Sequence, residues 1–298
     1  MLAIIIPYYK FTFFEATLQS LAKQTCQNFK VYIGNDASPE DPSMLLEKYK
    51  GKFDFVYHRF ETNLGGAALT KQWERCIALS GNEEWIMILG DDDVLGDNVV
   101  EAFYENLPEI EQEGSNVVRF ATQVIDEITN STSKVFVNPK FEKAVDFYCR
   151  RDLGLVRCSL SEHIFRKKSY LNYSFQDYPL AWHSDDYAWI QFAENKPIFA
   201  INNEKVWIRV SNESLTGSTT NLKDKRIAES MFYMDLVKHN LNLFKRGTRF
   251  QFLMKAEVSI KKYRKLSLKE WHILFLKYVQ NFKFIPFFKF TRRFLKSF

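Results

Sequence analysis

Three consecutive carboxylates, Asp91-Asp92-Asp93, follow the apolar run Trp85-Ile86-Met87-Ile88-Leu89-Gly90 and precede Val94-Leu95. Adjacent acids repel one another. A fold holds them most readily where a cation shares the site, because hard divalent ions take oxygen ligands and offset the like-charge penalty. An apolar run ending at such a cluster places it at the carboxyl end of a buried strand, where open α/β sheets put their ligands. Asp and Gly are also ordinary turn residues, so a solvated turn is the alternative. A second acidic pair, Asp185-Asp186, opens the amphipathic stretch Tyr187-Ala188-Trp189-Ile190. Acids there either favour a helix dipole or accept a proton in catalysis, and one residue can do both. His183 has no second histidine at helical or hairpin spacing, so it reads as structural or acceptor-lining and not as a metal ligand.

The elements that must position these acids alternate regularly over the first hundred residues. Ala3 to Ile6 is a β-branched strand ended by Pro7, and Thr12 to Glu15 has capping-box spacing before Phe14, Leu18 and Leu21 on one helical face. Phe29 to Ile33 is a second strand, with Asp41-Pro42 opening a helix, and Phe53 to Phe60 is a third. A helix carrying Leu69, Trp73, Cys76 and Ile77 leads to the fourth, and Asp97 caps a helix through Leu107. Such alternation predicts an α/β fold, a doubly wound and mostly parallel sheet with helices on both faces. Further strands are expected at Val117 to Ile125, Lys134 to Val137, Ser161 to Phe165, Ile198 to Ile201 and Val206 to Val210, with a loop at Asn130-Ser131-Thr132-Ser133.

The chain's 298 residues, 46% hydrophobic, suffice for one large domain with an appendage. Cys26, Cys76, Cys149 and Cys158 form no CxxC and read as buried thiols in a reducing compartment. The opening Met-Leu-Ala-Ile-Ile-Ile-Pro lacks the basic leader of a signal peptide. Charge is divided sharply: Lys245 to Phe298 holds 15 Lys and Arg against two acids, so this segment carries +13 and the preceding residues −8 of the net +5. An acidic body with a basic end suggests two jobs, the second facing an anionic surface.

Neither a GxGxxG dinucleotide loop nor a GxxxxGK[ST] phosphate loop is present. The predicted strand ends instead carry Pro7-Tyr8-Tyr9, Asp36, Asn63-Leu64-Gly65 and the acidic triplet. Aromatic side chains stack, an Asp accepts from a base or ribose, and a carboxylate-held metal binds a diphosphate. Together they describe a nucleoside-diphosphate pocket. In Ile4-Ile5-Ile6-Pro7-Tyr8-Tyr9, Asn35-Asp36-Ala37-Ser38, Glu61-Thr62-Asn63-Leu64-Gly65 and Leu89-Gly90-Asp91-Asp92-Asp93, residues 1–107 resemble glycosyltransferase family 2, the inverting nucleotide-sugar transferases of the GT-A fold. The resemblance implies that Pro7, Tyr9, Asp36, Asn63, Gly65 and Asp91 bind the donor nucleotide. It further implies that Asp92, with Asp93, holds a Mn or Mg ion. The family pattern is usually Asp-x-Asp-Asp, and Gly90 stands at the first Asp. Lys71, where the family often has Ala-Arg-Asn nearby, is either a phosphate-neutralising charge or an exposed helix lysine. Asp185-Asp186 matches the family's Glu-Asp pair, its second acid the general base, which ranks Asp186 above Asp185. The segment from Arg209 to Thr216 resembles one that closes over the donor; Arg209 there meets either a phosphate or solvent.

The same reading divides the chain into a catalytic domain, 1–220, with a nucleotide-sugar half at 1–107 and an acceptor half at 108–220, and a helical basic-aromatic extension at 221–298. Trp271, Leu274, Phe275, Tyr278, Val279 and Phe282 recur at helical spacing and Pro286 is expected to break that helix. The residues from Phe287 onward interleave aromatics with cations and contain no run long enough to span a bilayer, so they suit an anionic lipid surface; no nucleic-acid module accompanies them. The family resemblance and the basic end together imply a bacterial, metal-dependent hexosyl transfer from a nucleotide sugar, a UDP-sugar favoured, to a glycan or lipid-linked acceptor of cell-surface polysaccharide. Its setting would be cytoplasmic and peripheral on the membrane's inner face. The rivals are a sugar nucleotidyltransferase, which would show a glycine-rich basic loop after the first strand, and a non-catalytic, membrane-tethered nucleotide-sugar binder.

Overall fold

The computed structural model describes residues 1–212, 214–215 and 221–297, which fall into two compact units. The first comprises Met1–Asp177 and Ser184–Ser218, and the second Tyr178–His183 and Thr219–Phe298.

The first unit is built on one mixed sheet. Its strands are β1 (Leu2–Tyr8), β2 (Phe29–Asn35), β3 (Phe55–Arg59), β4 (Trp85–Ile88), β5 (Val94–Leu95), β6 (Val117–Asp126), β7 (Ser131–Thr132), β8 (Phe141–Lys143), β9 (His163–Arg166) and β10 (Pro197–Val210). They run in the order β3-β2-β1-β4-β9-β6-β10-β5. The pairs joining β3, β2, β1 and β4 are all parallel; β9 lies antiparallel between β4 and β6, and β6 is again parallel to β10. Parallel strands need crossover helices, which α1 (Phe14–Ala22), α2 (Ser43–Glu47) and α3 (Leu69–Ile77) supply. The other helices of this unit are α4 (Val99–Gln112), α5 (Ala144–Asp152), α6 (Lys167–Tyr173) and α7 (Ser184–Phe192). The sheet's apolar face is continuous: Ile4, Ile6, Val31, Ile33, Met87, Val118, Phe120 and Phe199 belong to one buried cluster with Phe14, Leu18 and Phe103.

Several local expectations are corrected. β1 does not stop at Pro7 but runs through it. Leu89 N donates to the Ile5 carbonyl and Asp36 N to the Tyr8 carbonyl, so the N–H that Pro7 lacks faces β4, whose pairing with β1 ends at Ile5. Helix α1 starts at Phe14 without a side-chain cap, so the Thr12 capping box does not form. The two strands expected at Ile198 to Val210 are one, interrupted by a register shift between Ile201 and Lys205; Asn202-Asn203-Glu204 is a bulge and not a turn. Lys134 to Val137 contributes only a single bridge, Thr122 to Phe136, while Ser131–Thr132 pairs with β6. Only Cys76 of the four free cysteines is buried.

The second unit is helical: α8 (Leu222–Asp235), α9 (Arg246–Lys261), α10 (Leu268–Gln280) and α11 (Phe284–Leu295). It also takes in the loop Tyr178–His183, where Tyr178 donates to Asp235 Oδ2 at 3.1 Å and His183 stacks on Phe232 at 4.7 Å. A full capping box of Ser267 and Glu270 starts α10. α10 ends at Gln280, before Pro286, which sits in the first turn of α11 where a missing N–H costs nothing. Buried Glu257 accepts from Arg293 and Lys261 and thereby ties α11 to α9. Among the described residues no helix is long and apolar enough to cross a membrane.

Candidate active site

The carboxyl ends of β1, β2 and β4 stop side by side, and each releases a chemically committed residue. Asp36 follows β2 and is buried; its carboxylate accepts from the amides of Leu64 at 2.7 Å and Gly65 at 2.8 Å, and from the Arg75 guanidinium. Gly65 has to be glycine, because a Cβ there would stand 2.6 Å from Asp36 Oδ2. Asn63 shapes the same loop by accepting from Gly66 N at 2.7 Å. Arg75, on α3, also donates to the Thr62 carbonyl at 2.8 Å and lies 3.9 Å over the Phe60 ring. No motif or spacing singled it out. Lys71, one turn earlier on α3, is instead exposed and paired with Glu74 at 2.8 Å.

The acidic triplet points three ways. Asp91 Oδ2 accepts from the amides of Tyr9 at 2.7 Å and Lys10 at 2.8 Å, which fixes the turn after β1 and leaves the Tyr9 ring exposed. Burial and the neighbouring Asp92 push the Asp91 carboxyl up to about 6. Asp93 spends both oxygens on the protein: Oδ1 accepts from Arg209 N at 2.8 Å and Oδ2 from the Ser161 hydroxyl at 2.5 Å, and that hydroxyl accepts from Gly90 N at 2.9 Å. Its carboxyl is raised well above the usual range by the same two causes. Asp92 lies between them, half-buried, its carbonyl taken by Arg209 Nε at 2.9 Å. A hard divalent cation takes oxygen ligands, so Asp92 could hold one, with Asp93 held in place behind it. Arg209 also pairs with Glu127 and covers Phe13 at 4.3 Å, so it is a strut of the triplet. Ser211 of the same segment is buried, and Glu213 and Thr216 lie outside the described residues, as does Phe298 at the chain end.

Asp185 and Asp186 occupy the first turn of α7. Asp186 is buried and ion-paired with Arg151 of α5 at 2.9 Å. Asp185 is half-buried, and its Oδ1 accepts from Asp186 N at 2.9 Å. Burial, then the adjacent Asp186 charge, raise the Asp185 carboxyl to about 8. The triplet and the helix that carries this pair are linked through the turn before β9, where Ser161 bonds Asp93 and His163 stacks on Trp189 of α7 at 4.2 Å. Ser161 bonds Asp93, and the next residue, buried Glu162, is close enough to raise both Asp93 and Asp185. Burial lifts Glu162 itself to about 7. Neither Ser161, Glu162 nor Arg151 is recognisable from spacing, since their partners lie tens of residues away.

Among the described residues, one cluster brings three metal-ligating side chains together. The ligating atoms of Cys158, Glu162 and His163 lie within 4.8 Å of one another. His163 Nδ1 already meets the Ser159 carbonyl at 2.9 Å, Glu162 Oε1 accepts from Ser159 N at 2.7 Å, and the His163 ring stacks on Trp189 at 4.2 Å. Those bonds describe a turn packed behind α7.

Comparisons with known proteins bear on the family and the fold. Residues 3–170 match the family model Glycosyl transferase family 2. "Glycosyltransferase GlyG" of Streptococcus pneumoniae serotype 4 is 24% identical over 110 residues, a match covering 37% of this chain and 36% of that protein. The chain thus aligns with about a third of that curated relative's length. Among solved structures, residues 1–349 of S. aureus TarS in complex with UDP-GlcNAc superpose with a TM-score of 0.65 at 15% identity, over 94% of this chain and 80% of that one. GalNAc-T7 with UDP, GalNAc and Mn2+ gives a TM-score of 0.54 at 10% identity, over 88% of this chain and 56% of that one. These likenesses establish the GT-A type of fold, and with a family model spanning more than half of its residues, the chain belongs to glycosyl transferase family 2.

Proposed function

We propose that this protein moves a sugar, with inversion, from a nucleoside-diphosphate donor, a UDP-sugar, to a hydroxyl of a glycan or lipid-linked acceptor in bacterial cell-surface polysaccharide synthesis, working at the cytoplasmic face of the membrane. The observation that carries this reading is the linking of two acidic groups through one turn, where Ser161 bonds Asp93 and His163 stacks on Trp189 of α7, the helix that opens with Asp185 and Asp186. A strand-end cluster suited to a diphosphate is thereby joined to a carboxyl suited to a proton.

In this reading the base and ribose lie along Pro7, Tyr9 and Asp36. The carboxylate of Asp36 fixes Arg75 and the loop of Asn63 and Gly65 as the walls of the pocket. Asp92 would hold a Mn or Mg ion, whose charge would neutralise the diphosphate. Asp185 takes the proton of the acceptor hydroxyl while that oxygen bonds to the anomeric carbon on the face opposite the diphosphate, whose bond to the sugar breaks. Asp186, neutralised by Arg151, sets the position and basicity of Asp185. The order thus differs from that implied by the family pair, because Asp186 is enclosed by its ion pair and Asp185 is the more open oxygen. TarS bound to UDP-GlcNAc and GalNAc-T7 with UDP support the donor class, and the Mn2+ of GalNAc-T7 supports the cation.

Isothermal titration with UDP, GDP and CDP, each with Mn and with EDTA, tests the reading. Metal-dependent binding of UDP is expected, weakened by roughly tenfold or more in Asp92→Asn, the cost of losing one charged ligand. A folded sample that binds none of the three nucleotides overturns it.

A further inference from the structure

The second unit carries two hollows that share one wall, Trp271. On one side an open hollow of about 940 Å³ is lined by Lys261, Lys262, Arg264, Lys265, Arg293 and Lys296. Three carboxylates answer four of these cations: Glu257 takes Lys261 and Arg293, Glu229 takes Lys262, and Glu270 takes Arg264. The Lys265 and Lys296 ammonium groups have no acidic partner among the described residues. On the other side of Trp271, Leu268, His272, Phe275, Phe290, Phe294 and Leu295 line a groove of about 390 Å³ that is almost wholly apolar. Beyond the groove, α10 and α11 leave large side chains in the open: Phe282 is 59% exposed, Phe284 74%, Ile285 64% and Phe288 61%. These follow one another around the α10–α11 turn, and only Phe290 of α11 is buried.

A cationic hollow against an apolar groove is complementary to one kind of molecule, an acyl or prenyl chain ending in a phosphate. We infer that α9, α10 and α11 form a bipartite site for an anionic phospholipid of a bilayer surface. The phosphate rests over Lys265 and Lys296, part of the chain lies along Trp271 and Phe275, and Phe284, Ile285 and Phe288 enter the acyl boundary. The site involves the α9–α10 junction as well as the terminal residues that sequence composition pointed to. It deepens the membrane component of the proposed function and rests on that component, not on the transfer chemistry. Interfacial helices bind through buried apolar area together with attraction to anionic headgroups, and both contributions are present here.

Flotation of the full-length protein with vesicles of phosphatidylcholine, or of phosphatidylcholine with about 30 mol% phosphatidylglycerol, tests the site. The protein floats with the anionic vesicles and far less with the neutral ones. Lys265→Gln/Lys296→Gln weakens binding roughly 10- to 30-fold, as two surface charges should, and Phe284→Ser/Phe288→Ser weakens it roughly 100-fold. All four positions are on the surface or line the open hollow, and circular dichroism confirms folding. Absence of flotation with anionic vesicles overturns the inference, as does binding that neither pair of substitutions changes. UDP titration of the same samples distinguishes failure of this site from failure of the donor reading.

Discussion

At the scale of single residues, function here depends on which oxygen of a crowded set is left to work. Asp36, Asp91 and Asp93 are tied to backbone amides or a hydroxyl, and Asp186 to a guanidinium. Asp185 alone combines partial exposure with a carboxyl raised to about 8. A base raised to that value in the free enzyme makes kcat/KM rise with pH through about 8, because only the ionised form accepts the acceptor's proton. Asp185→Asn should lower kcat by roughly 10²- to 10⁴-fold while leaving UDP affinity nearly unchanged. Arg151 lowers the Asp185 pKa through its charge, so Arg151→Gln should move the rising limb to higher pH by about one unit. A pH–rate profile of the three proteins checks both statements. A limb unmoved in Arg151→Gln would remove Asp185 from the role of base.

At the scale of elements, the strands that gather the site were legible because their apolar runs stop abruptly. Ile4 to Pro7, Val31 to Ile33 and Trp85 to Leu89 each end against polar residues, so β1, β2 and β4 and their side-by-side ends follow from pattern alone. Irregular elements were not legible. β10 reads as two strands because its bulge carries Asn202-Asn203-Glu204, and α5 and α6 were missed although α5 supplies Arg151. Arg75, Ser161 and Glu162 escaped for a related reason: each acts through a partner brought by topology, and no local spacing encodes such a pairing. One packing contact between elements has a sharp test. Gly34 of β2 faces α3 so closely that a Cβ would stand 2.2 Å from Cys76 Sγ and 3.0 Å from the Phe60 ring. Gly34→Ala overpacks this contact at a cost of about 1–3 kcal/mol, and because α3 carries Arg75 it should weaken UDP binding as well. Gly34→Ala/Cys76→Ala should regain part of the stability, a coupling read from a double-mutant cycle of thermal melts. Strict additivity would show that β2 and α3 do not meet there.

At the scale of the whole molecule, the acids of the proposed donor and base site also make the protein sensitive to pH. A carboxyl whose pKa is raised in the folded state holds its proton longer than in the unfolded chain, so stability falls as pH climbs from the unfolded pKa through the folded one. For Glu162 that window closes near 7 and for Asp185 near 8. Two shifts act in the opposite direction. Burial lowers His163 to about 3, and the Arg264 pair lowers Glu270 to about 2, so each stabilises progressively as pH rises toward its unfolded value. Both contributions are complete by about pH 6.5. Above that point the raised carboxyls act alone, and the melting temperature should fall by roughly 5 °C between pH 6.5 and 8. Asp185→Asn removes one of the groups that titrate in this interval and should flatten the slope. Scanning calorimetry of both proteins at the two pH values decides the matter. A melting temperature that holds steady or rises in the wild type would mean that these carboxyls ionise as freely in the fold as in water, and the argument for Asp185 as a poised base would lose its electrostatic footing.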